Sequence, residues 1–359
     1  VDVEKNSRIS PEDAARKARY AAFDARMQAG DVLLLAHHAD DQAETFLLRA
    51  LRGAGVPGLA AMPPSRAFSN GMIARPLLDI DRSTLERYAT AQKIEYVIDP
   101  SNDAIEFDRN FLRHEILSRL RQRWPGVTGR FTAAAQNMAE ANVLLRERAR
   151  EDIGCCNVDQ RWGAPTIELA PLLARSPERQ RNAVRYFLET AVPDLPIVLS
   201  QQQLQQLQQQ WFHAREDANP QIDIGTVQLR RYRGRGYIVR PLLSVGVACE
   251  WNLQHDIELP GLGHLRVRAG LGGLRNLDKV EVRFRRGGET WCGDGAHHHP
   301  LKQWLQENGI PPWLRDLLPL LFYQDELIAI ADLAIAKHFR ASENETGLHL
   351  AFEFFVSQT

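Results

Sequence analysis

The chain has 359 residues, 44% of them hydrophobic and 25% charged, and its 44 basic and 45 acidic residues give a formal net charge of −1. That length exceeds one ordinary core and implies two or three domains, while the composition excludes a disordered polyelectrolyte and a membrane protein. No apolar run approaches the roughly 20 residues a spanning helix needs and no basic-then-apolar leader opens the chain, so a cytoplasmic protein with no membrane partner is expected, its nucleic-acid affinity resting on local clusters.

The first residue is Val1, and no strand precedes the first helix, so the chain reads as a fragment. Residues 11–28 carry Ala14, Ala15, Ala18, Ala21, Ala22 and Ala25 at helical spacing, with Ser10 as the N-cap and Pro11 in the first turn. Asp31 to Ala36, DVLLLA, follows Gly30 as a short apolar run, the pattern of a strand buried on both faces of a parallel sheet. MIARPLLDID then reads as a strand, the residues around Leu85, Tyr88 and Ala89 as an amphipathic helix, and IEYVIDPSN as strand and loop. This alternation favours an α/β fold. Residues 109–149 are helical by period, and CCNVDQRWGAP at 155–165 is a turn-rich break taken as a domain boundary. Cys155, Cys156, Cys249 and Cys292 form no CxxC pair and are expected as reduced thiols. Residues 166–215 read as mainly helical, with the glutamine run SQQQLQQLQQQW as an exposed helix face behind Leu204 and Leu207. IDIGTVQLRRY and GYIVRPLL suggest a hairpin, and beyond Pro241 strand-like segments surround a helix near 301–308.

The densest chemistry lies in AHHADDQAETFLLRALRGAG, residues 36–55. Ala43, Phe46, Leu47, Ala50 and Leu51 make one apolar helical stripe expected to be buried, while Asp41, Glu44 and Thr45 share another face. His37 and His38 fall where the strand ends, the place at which open α/β sheets gather ligands. Three chemistries stay open for this pattern. Asp40 and Asp41 serve only the helix N-terminus, with Gly53 or Gly55 closing its other end; the cluster binds a metal, although HHxDD matches no established zinc spacing; or Asp41 handles a proton, or an Mg²⁺-associated carboxylate, beside phosphate.

Basic clusters supply the second signal. Arg16 and Arg19 lie three apart on a helix, suited to phosphate or carboxylate oxygens, or simply to a solvated face. Arg109, Arg113, Arg119, Arg121 and Arg123 face only Asp108 and Glu115, and form either a polyanion footprint or a surface helix. Arg230, Arg231, Arg233 and Arg235 interleave with Tyr232 near glycines, which suits RNA or guards a hairpin edge. Arg283, Arg285, Arg286, Lys302 and Arg315 lie near several turns, and the consecutive His297, His298 and His299 are read as exposed and unligated.

The segments ARKARYAAF, AHHADDQAETFLLRALRGAGVPGLAAM, IARPLLD, DPSNDAIEFDRNFLR, AREDA…LRRY and VPDLP…GIPPWLRDLLPLLFY spread over nearly the whole chain. Together they resemble the tRNA(Ile)-lysidine synthetase (TilS) family of N-type ATP pyrophosphatases. The resemblance implies a parallel-sheet, adenine nucleotide alpha hydrolase-like domain over residues 1–150, incomplete at its N-terminus. A helical, tRNA-binding middle domain over 151–245 and a small mixed α/β tRNA-binding domain over 246–359 follow. It also implies ATP with Mg²⁺, free L-lysine, and an isoleucine tRNA with a CAU anticodon. In that reaction C2 of the wobble cytidine is adenylated and the lysine ε-amine displaces AMP, changing codon reading from AUG to AUA.

Carried over residue by residue, the resemblance puts Arg16, His37, His38 and Asp41 at the reaction centre, with Asp41 or an adjacent histidine orienting and deprotonating the amine. Arg19, Asp40, Gln42 and Glu44 support that centre. Arg109, Asn110, Arg113, Arg230, Arg231, Arg233, Lys302 and Arg315 face the tRNA. No residue is assigned as a metal ligand, and a homodimer is compatible with the pattern. The family's SGGxDS phosphate loop does not occur in the 359 residues, so autonomous catalysis by this stretch is not expected. Two other readings remain: a non-catalytic tRNA-binding fragment, and a metal-dependent hydrolase built on His37, His38, Asp40 and Asp41. A tRNA-thiolating relative is disfavoured by the missing CxxC.

Overall fold

The structure, a computed structural model, describes residues 11–97, 105–193, 199, 201–215, 218–241, 247–293 and 298–354. It divides into two compact units, Val1–Glu147 and Arg148–Thr359.

In the first unit, helix α1 (Pro11–Asp24) precedes strand β1 (Val32–Leu34), which leads into α2 (Ala39–Leu51) and the short α3 (Val56–Leu59). The hairpin β2 (Ser65–Phe68) and β3 (Gly71–Ala74) and helix α4 (Arg82–Ala91) follow. The sheet order is β1-β3-β2, with β1 parallel to β3 (Leu33 opposite Ile73) and β2 antiparallel to it. Gly71 admits no side chain: a Cβ there would lie 2.1 Å from the Asp31 carbonyl oxygen. A helical run over 108–123 consists of α5 (Asp108–Phe111), a π-helical turn (Leu112–Leu117) and α6 (Ser118–Arg123). Helix α7 (Val127–Gly154) begins just after the Trp124-Pro125-Gly126 interruption and continues beyond the boundary of the first unit.

Two expectations about this unit are corrected, and the burial of the α1 alanines is added to what their spacing showed. Strand β1 is not buried on both faces, because Val32 is 49% and Leu34 66% exposed; among the described residues β1 pairs only with β3. The alanine stripe of α1 is at most half-buried, with Ala15 and Ala21 exposed, so Tyr20 and Phe23 rather than the alanines make its ring contacts. Residues 94–97 form no strand and leave Val97 95% exposed, and the rest of IEYVIDPSN lies outside the described residues, as does Ser10.

The second unit opens on a five-stranded antiparallel sheet, order β4-β5-β8-β7-β6, from β4 (Val158–Arg161), β5 (Ala164–Glu168), β6 (Gln221–Ile224), β7 (Val227–Tyr232) and β8 (Arg235–Val239). The turn-rich break is therefore a hairpin, whose Trp162 and Gly163 both take positive φ (56° and 70°), the backbone that two-residue hairpin turns demand. The short α8 (Ala170–Leu173), helix α9 (Pro177–Ala191) and a helical run over 201–212 accompany this sheet; the run is α10 (Gln201–Gln206) with a π-helical turn (Leu207–Phe212). In that run Leu204, Leu207, Trp211 and Phe212 enter the core with Phe187 and Ile238, and the described glutamines stay exposed or half-buried. The Trp211 indole N–H donates to the Arg230 carbonyl at 2.7 Å, and its ring lies so close to Gly236 that a Cβ would meet it at 2.1 Å.

Beyond Pro241, strands β9 (Cys249–Trp251), β10 (Ile257–Leu259), β11 (Gly263–Leu271) and β12 (Val280–Arg283) precede the two-residue pair β13 (Thr290–Trp291) and β14 (His299–Pro300) and helix α11 (Leu301–Glu307). Strands β15 (Leu320–Tyr323), β16 (Glu326–Ile330), β17 (Ala334–Ile335) and β18 (Thr346–Phe354) complete a β17-β16-β15-β12-β9 sheet and a β10-β11-β18 sheet. Among the described residues no helix is long and apolar enough to cross a membrane.

Candidate active site

The site grows from the end of β1. The Leu35 N–H donates to the Ala74 carbonyl at 2.9 Å and the Ala39 N–H to the Ile80 carbonyl at 2.9 Å, which fixes residues 35–39 between strand and helix. His38 is the N-cap of α2, and its backbone N–H donates to Asp41 Oδ2 at 3.0 Å. Asp40 accepts the Arg82 backbone N–H at 2.8 Å on one oxygen and pairs with Arg121 on the other. Helix capping is therefore a real part of what these aspartates do. Gly53, with φ +71°, follows the C-cap Arg52 and ends the helix.

The buried face of α2 is its polar one, which corrects the expected apolar stripe. Asp41, Gln42 and Glu44 are buried along with Ala43, whereas Ala50 and Leu51 are exposed. Burying carboxylates demands partners, and the 108–123 run supplies them. Arg109 donates to Glu44 Oε2 at 2.7 Å and to Asp41 Oδ1 at 2.8 Å, while Arg113, four residues on, forks onto both Glu44 oxygens at 2.6 and 3.0 Å. Glu44 is fully buried, and its hydrogen bonds hold the Arg113 guanidinium more firmly protonated than usual. Gln42 clamps a loop from the other side, its amide N–H donating to the Met62 carbonyl at 2.8 Å and its Oε1 accepting the Met62 N–H at 2.9 Å. Arg109 and Arg113, expected to face tRNA, thus direct these guanidinium hydrogen bonds inward, and the half-buried Asn110 sits beside them on α5.

His37 lies at the junction of this network with a second set of cations. Its Nδ1 is buried with no hydrogen-bond partner among the described residues. Burial pushes its pKa below the ordinary value; the Asp41 charge opposes that shift, and the charges of Arg75, Arg109 and Arg16 reinforce it. Arg75, only 5% exposed, donates from Nη1 to the Pro63 carbonyl at 2.8 Å, and its Nε is buried with no hydrogen-bond partner among the described residues. Arg49 Nη1 bridges the Gly58 and Ala61 carbonyls, each at 2.8 Å, and burial followed by the Arg16 charge lowers its pKa. Arg16 is exposed, with its guanidinium 5.6 Å from the Tyr20 ring centroid. Arg19 is exposed as well, and none of the described contacts joins it to the cluster.

The structure thus brings Arg16, His37, His38, Asp40, Asp41, Gln42 and Glu44 to one corner. It adds Arg75 and Arg49, which sequence reasoning missed. Arg75 had a usable signal: a lone cation after the apolar MIA, at the end of the strand parallel to β1, points to the same sheet edge as His37. Chemically, the corner offers fixed positive charge beside a neutral imidazole. The described residues bring no group of three or more His, Cys, Asp or Glu into metal-holding geometry, so the hydrolase alternative finds no ligand set there.

The basic residues expected to hold tRNA in the second unit divide by engagement. Arg231 donates to the Trp211 and Phe212 carbonyls at 3.2 and 2.8 Å, capping a helix end. Arg230 lies 5.6 Å from the Trp313 centroid, Arg233 lies 5.5 Å from that of Tyr232 and donates to the Gln306 carbonyl, and Arg315 donates to the Ile310 carbonyl at 3.0 Å. Lys302 on α11 is exposed with no described partner, and His297 lies outside the described residues.

Family models match three parts of the chain: a PP-loop domain over residues 1–120, a TilS substrate binding domain over 168–237, and a TilS substrate C-terminal domain over 280–352. The PP-loop domain is therefore represented here, although the SGGxDS sequence is not among the 359 residues. The chain is 40% identical over 346 residues to the tRNA(Ile)-lysidine synthase of Coxiella burnetii, covering 94% of this chain and 75% of that one. It is 40% identical over 350 residues to the same-named protein of Alkalilimnicola ehrlichii (95% and 77% covered), and 38% over 335 residues to that of Pseudomonas fluorescens (90% and 73%).

Proposed function

The chain belongs to the tRNA(Ile)-lysidine synthase family, and from that premise we propose that it takes part in the ATP-dependent joining of free lysine to C2 of the wobble cytidine of a CAU-anticodon isoleucine tRNA. The observation that carries the site assignment is the corner at the end of β1, where Arg75 and His37 each keep a buried guanidinium or ring nitrogen with no hydrogen-bond partner among the described residues. Arg75 and Arg16 fit the negative charge of ATP, with Mg²⁺ as its companion ion, and of the AMP leaving group.

Lysine reaches the site as an ammonium ion and must be neutral at nitrogen to attack. Surrounding arginine charge favours the neutral amine for the same reason that it depresses His37. As the N–C2 bond forms, the C2–O bond to AMP breaks, AMP leaves with the electron pair, and the proton on nitrogen passes to neutral His37. Asp41 suits that role less well: Oδ1 is held by Arg109 and Oδ2 by the His38 N–H. In this account Asp41, Glu44, Arg109 and Arg113 are positioning residues that fix the start of α2. The second unit supplies tRNA contacts from a middle domain (151–245) and a C-terminal domain (246–359), in a cytoplasmic enzyme whose homodimerisation sizing in solution would decide.

The test is incorporation of radiolabelled lysine into tRNA transcripts by the full-length protein. The proposal expects ATP-dependent incorporation into a CAU-anticodon transcript, one AMP released per lysine, and none into a transcript with a GAU anticodon. Incorporation that ignores the anticodon, or ATP turnover without lysine transfer, contradicts it.

A further inference from the structure

A cleft unrelated to the β1 corner opens within the second unit, where the β4–β5 turn, the end of α9, the end of β8, the turn around Trp313 and the last strand meet. Trp162, Trp313, Phe354, Val192, Gln160 and Arg240 are among its lining residues, and its volume is about 120 Å³. A protein cavity of about 150 Å³ holds one benzene molecule. This cleft is therefore scaled to a single six-membered ring, too small for a helix face or a run of peptide side chains.

Its lining is mixed. Genuinely empty cavities are apolar, whereas Gln160 and Arg240 stand among the residues lining this one, together with its aromatic residues. The rings are held in place before any ligand arrives. Tyr237 packs edge-on against Trp313 with centroids 5.3 Å apart, and the Arg230 guanidinium lies 5.6 Å from the same indole. Trp162 packs against the buried cluster that includes Leu305 and Leu314, and a Cβ on the adjoining Gly163 would stand 3.1 Å from Phe354 Cβ, so turn and last strand touch. Rings that stack, an amide that pairs with a ring edge and a cation for a neighbouring phosphate are the three elements of single-base recognition in RNA.

We propose that this cleft receives one unpaired nucleobase of the RNA substrate, its six-membered ring against the Trp162, Trp313 and Phe354 side chains, its edge toward Gln160 and its phosphate toward Arg240. The identity of that RNA rests on the proposed function; the base site itself does not.

Two titrations of the full-length protein separate them. In the first, a short single-stranded oligoribonucleotide and, separately, AMP are added while tryptophan fluorescence is followed. Quenching by the oligoribonucleotide that Trp162→Ala removes supports the site. Quenching by AMP that Trp162→Ala also removes assigns the cleft to a free nucleotide and overturns the proposal, as does the absence of any oligoribonucleotide quenching that depends on Trp162. In the second, affinity is measured for intact CAU-anticodon tRNA and for transcripts lacking individual unpaired segments, the 3′ single-stranded end among them. Trp162→Ala is expected to weaken intact tRNA about tenfold, in line with stacking energies of about 1–3 kcal/mol per base. It should have no further effect on the transcript that lacks the bound base. Equal weakening for every transcript overturns the proposal. Ala191→Leu, which fills the cleft while leaving the rings in place, is the second variant and should reproduce both results. Loss of all tRNA binding by the wild-type protein, with oligoribonucleotide quenching intact, defeats the proposed function and leaves the base site standing.

Discussion

At the residue scale the decisive contrast is between His37 and Asp41. Both looked equally suited to proton transfer in HHADD, because a sequence shows which groups are near in chain order but not which are already engaged. Arg109 approaches Asp41 from a segment 68 positions away, and no local pattern announces that pairing. His37 titrates, in this account, below the ordinary imidazole value because burial and nearby arginines oppose its protonation. The unfolded chain, with an imidazole near 6.5, then binds more protons than the folded one in the interval between the two values. Its contribution to stability is complete above about pH 6.5 and is lost as pH falls through that interval toward the folded value. Urea unfolding at pH 7.5 and 5.5 should therefore show the wild type losing more stability on acidification than His37→Gln. An identical loss in both would mean that His37 is not buried as a neutral ring.

At the element scale, α2 reverses the usual logic of an amphipathic helix by burying carboxylates and exposing Leu51. Period alone correctly located the helix, its first-turn aspartates and its glycine stop. It could not reveal which face is inside, because burial of Glu44 depends on two arginines from the 108–123 run. Removing one partner of a buried ionic network typically costs about 3–5 kcal/mol. Glu44→Gln removes the buried charge and one of the two oxygens that Arg109 and Arg113 share, and a fall in stability of about that size by denaturant titration is expected, larger than for Glu86→Gln on the exposed face of α4. Arg231 shows the same lesson in the second unit: a residue singled out for RNA caps the helix that ends at Phe212. Arg231→Ala should lower stability by about 1.5–3 kcal/mol, the usual worth of hydrogen bonds from a charged donor; an unchanged unfolding midpoint would show that these hydrogen bonds do not hold the helix end.

At the scale of the whole molecule, segments spread over nearly the full length pointed to one family, and the matches to PP-loop and TilS domains bear that out. The strands and helices of the second unit were legible wherever alternation or helical spacing was strong, as in β7, β8 and Leu204 to Phe212. The β4–β5 hairpin was hidden because Trp162-Gly163 reads as a generic break until its backbone is seen. With net charge near zero, tRNA attraction falls to particular exposed cations, and Lys302 is one with no described partner. Lys302→Ala should weaken tRNA binding and reduce the slope of log affinity against log salt by about 0.7–0.9, the value of one phosphate contact. An unchanged slope would place Lys302 away from the RNA.

The most direct measurement is single-turnover lysine transfer by the full-length protein bearing His37→Gln, on pre-adenylated CAU-anticodon tRNA, with tRNA affinity recorded alongside. Loss of a positioned proton acceptor should slow transfer by about 10²- to 10⁴-fold while affinity stays within about twofold. Transfer at the wild-type rate would show that the corner at the end of β1 does not take the proton from lysine.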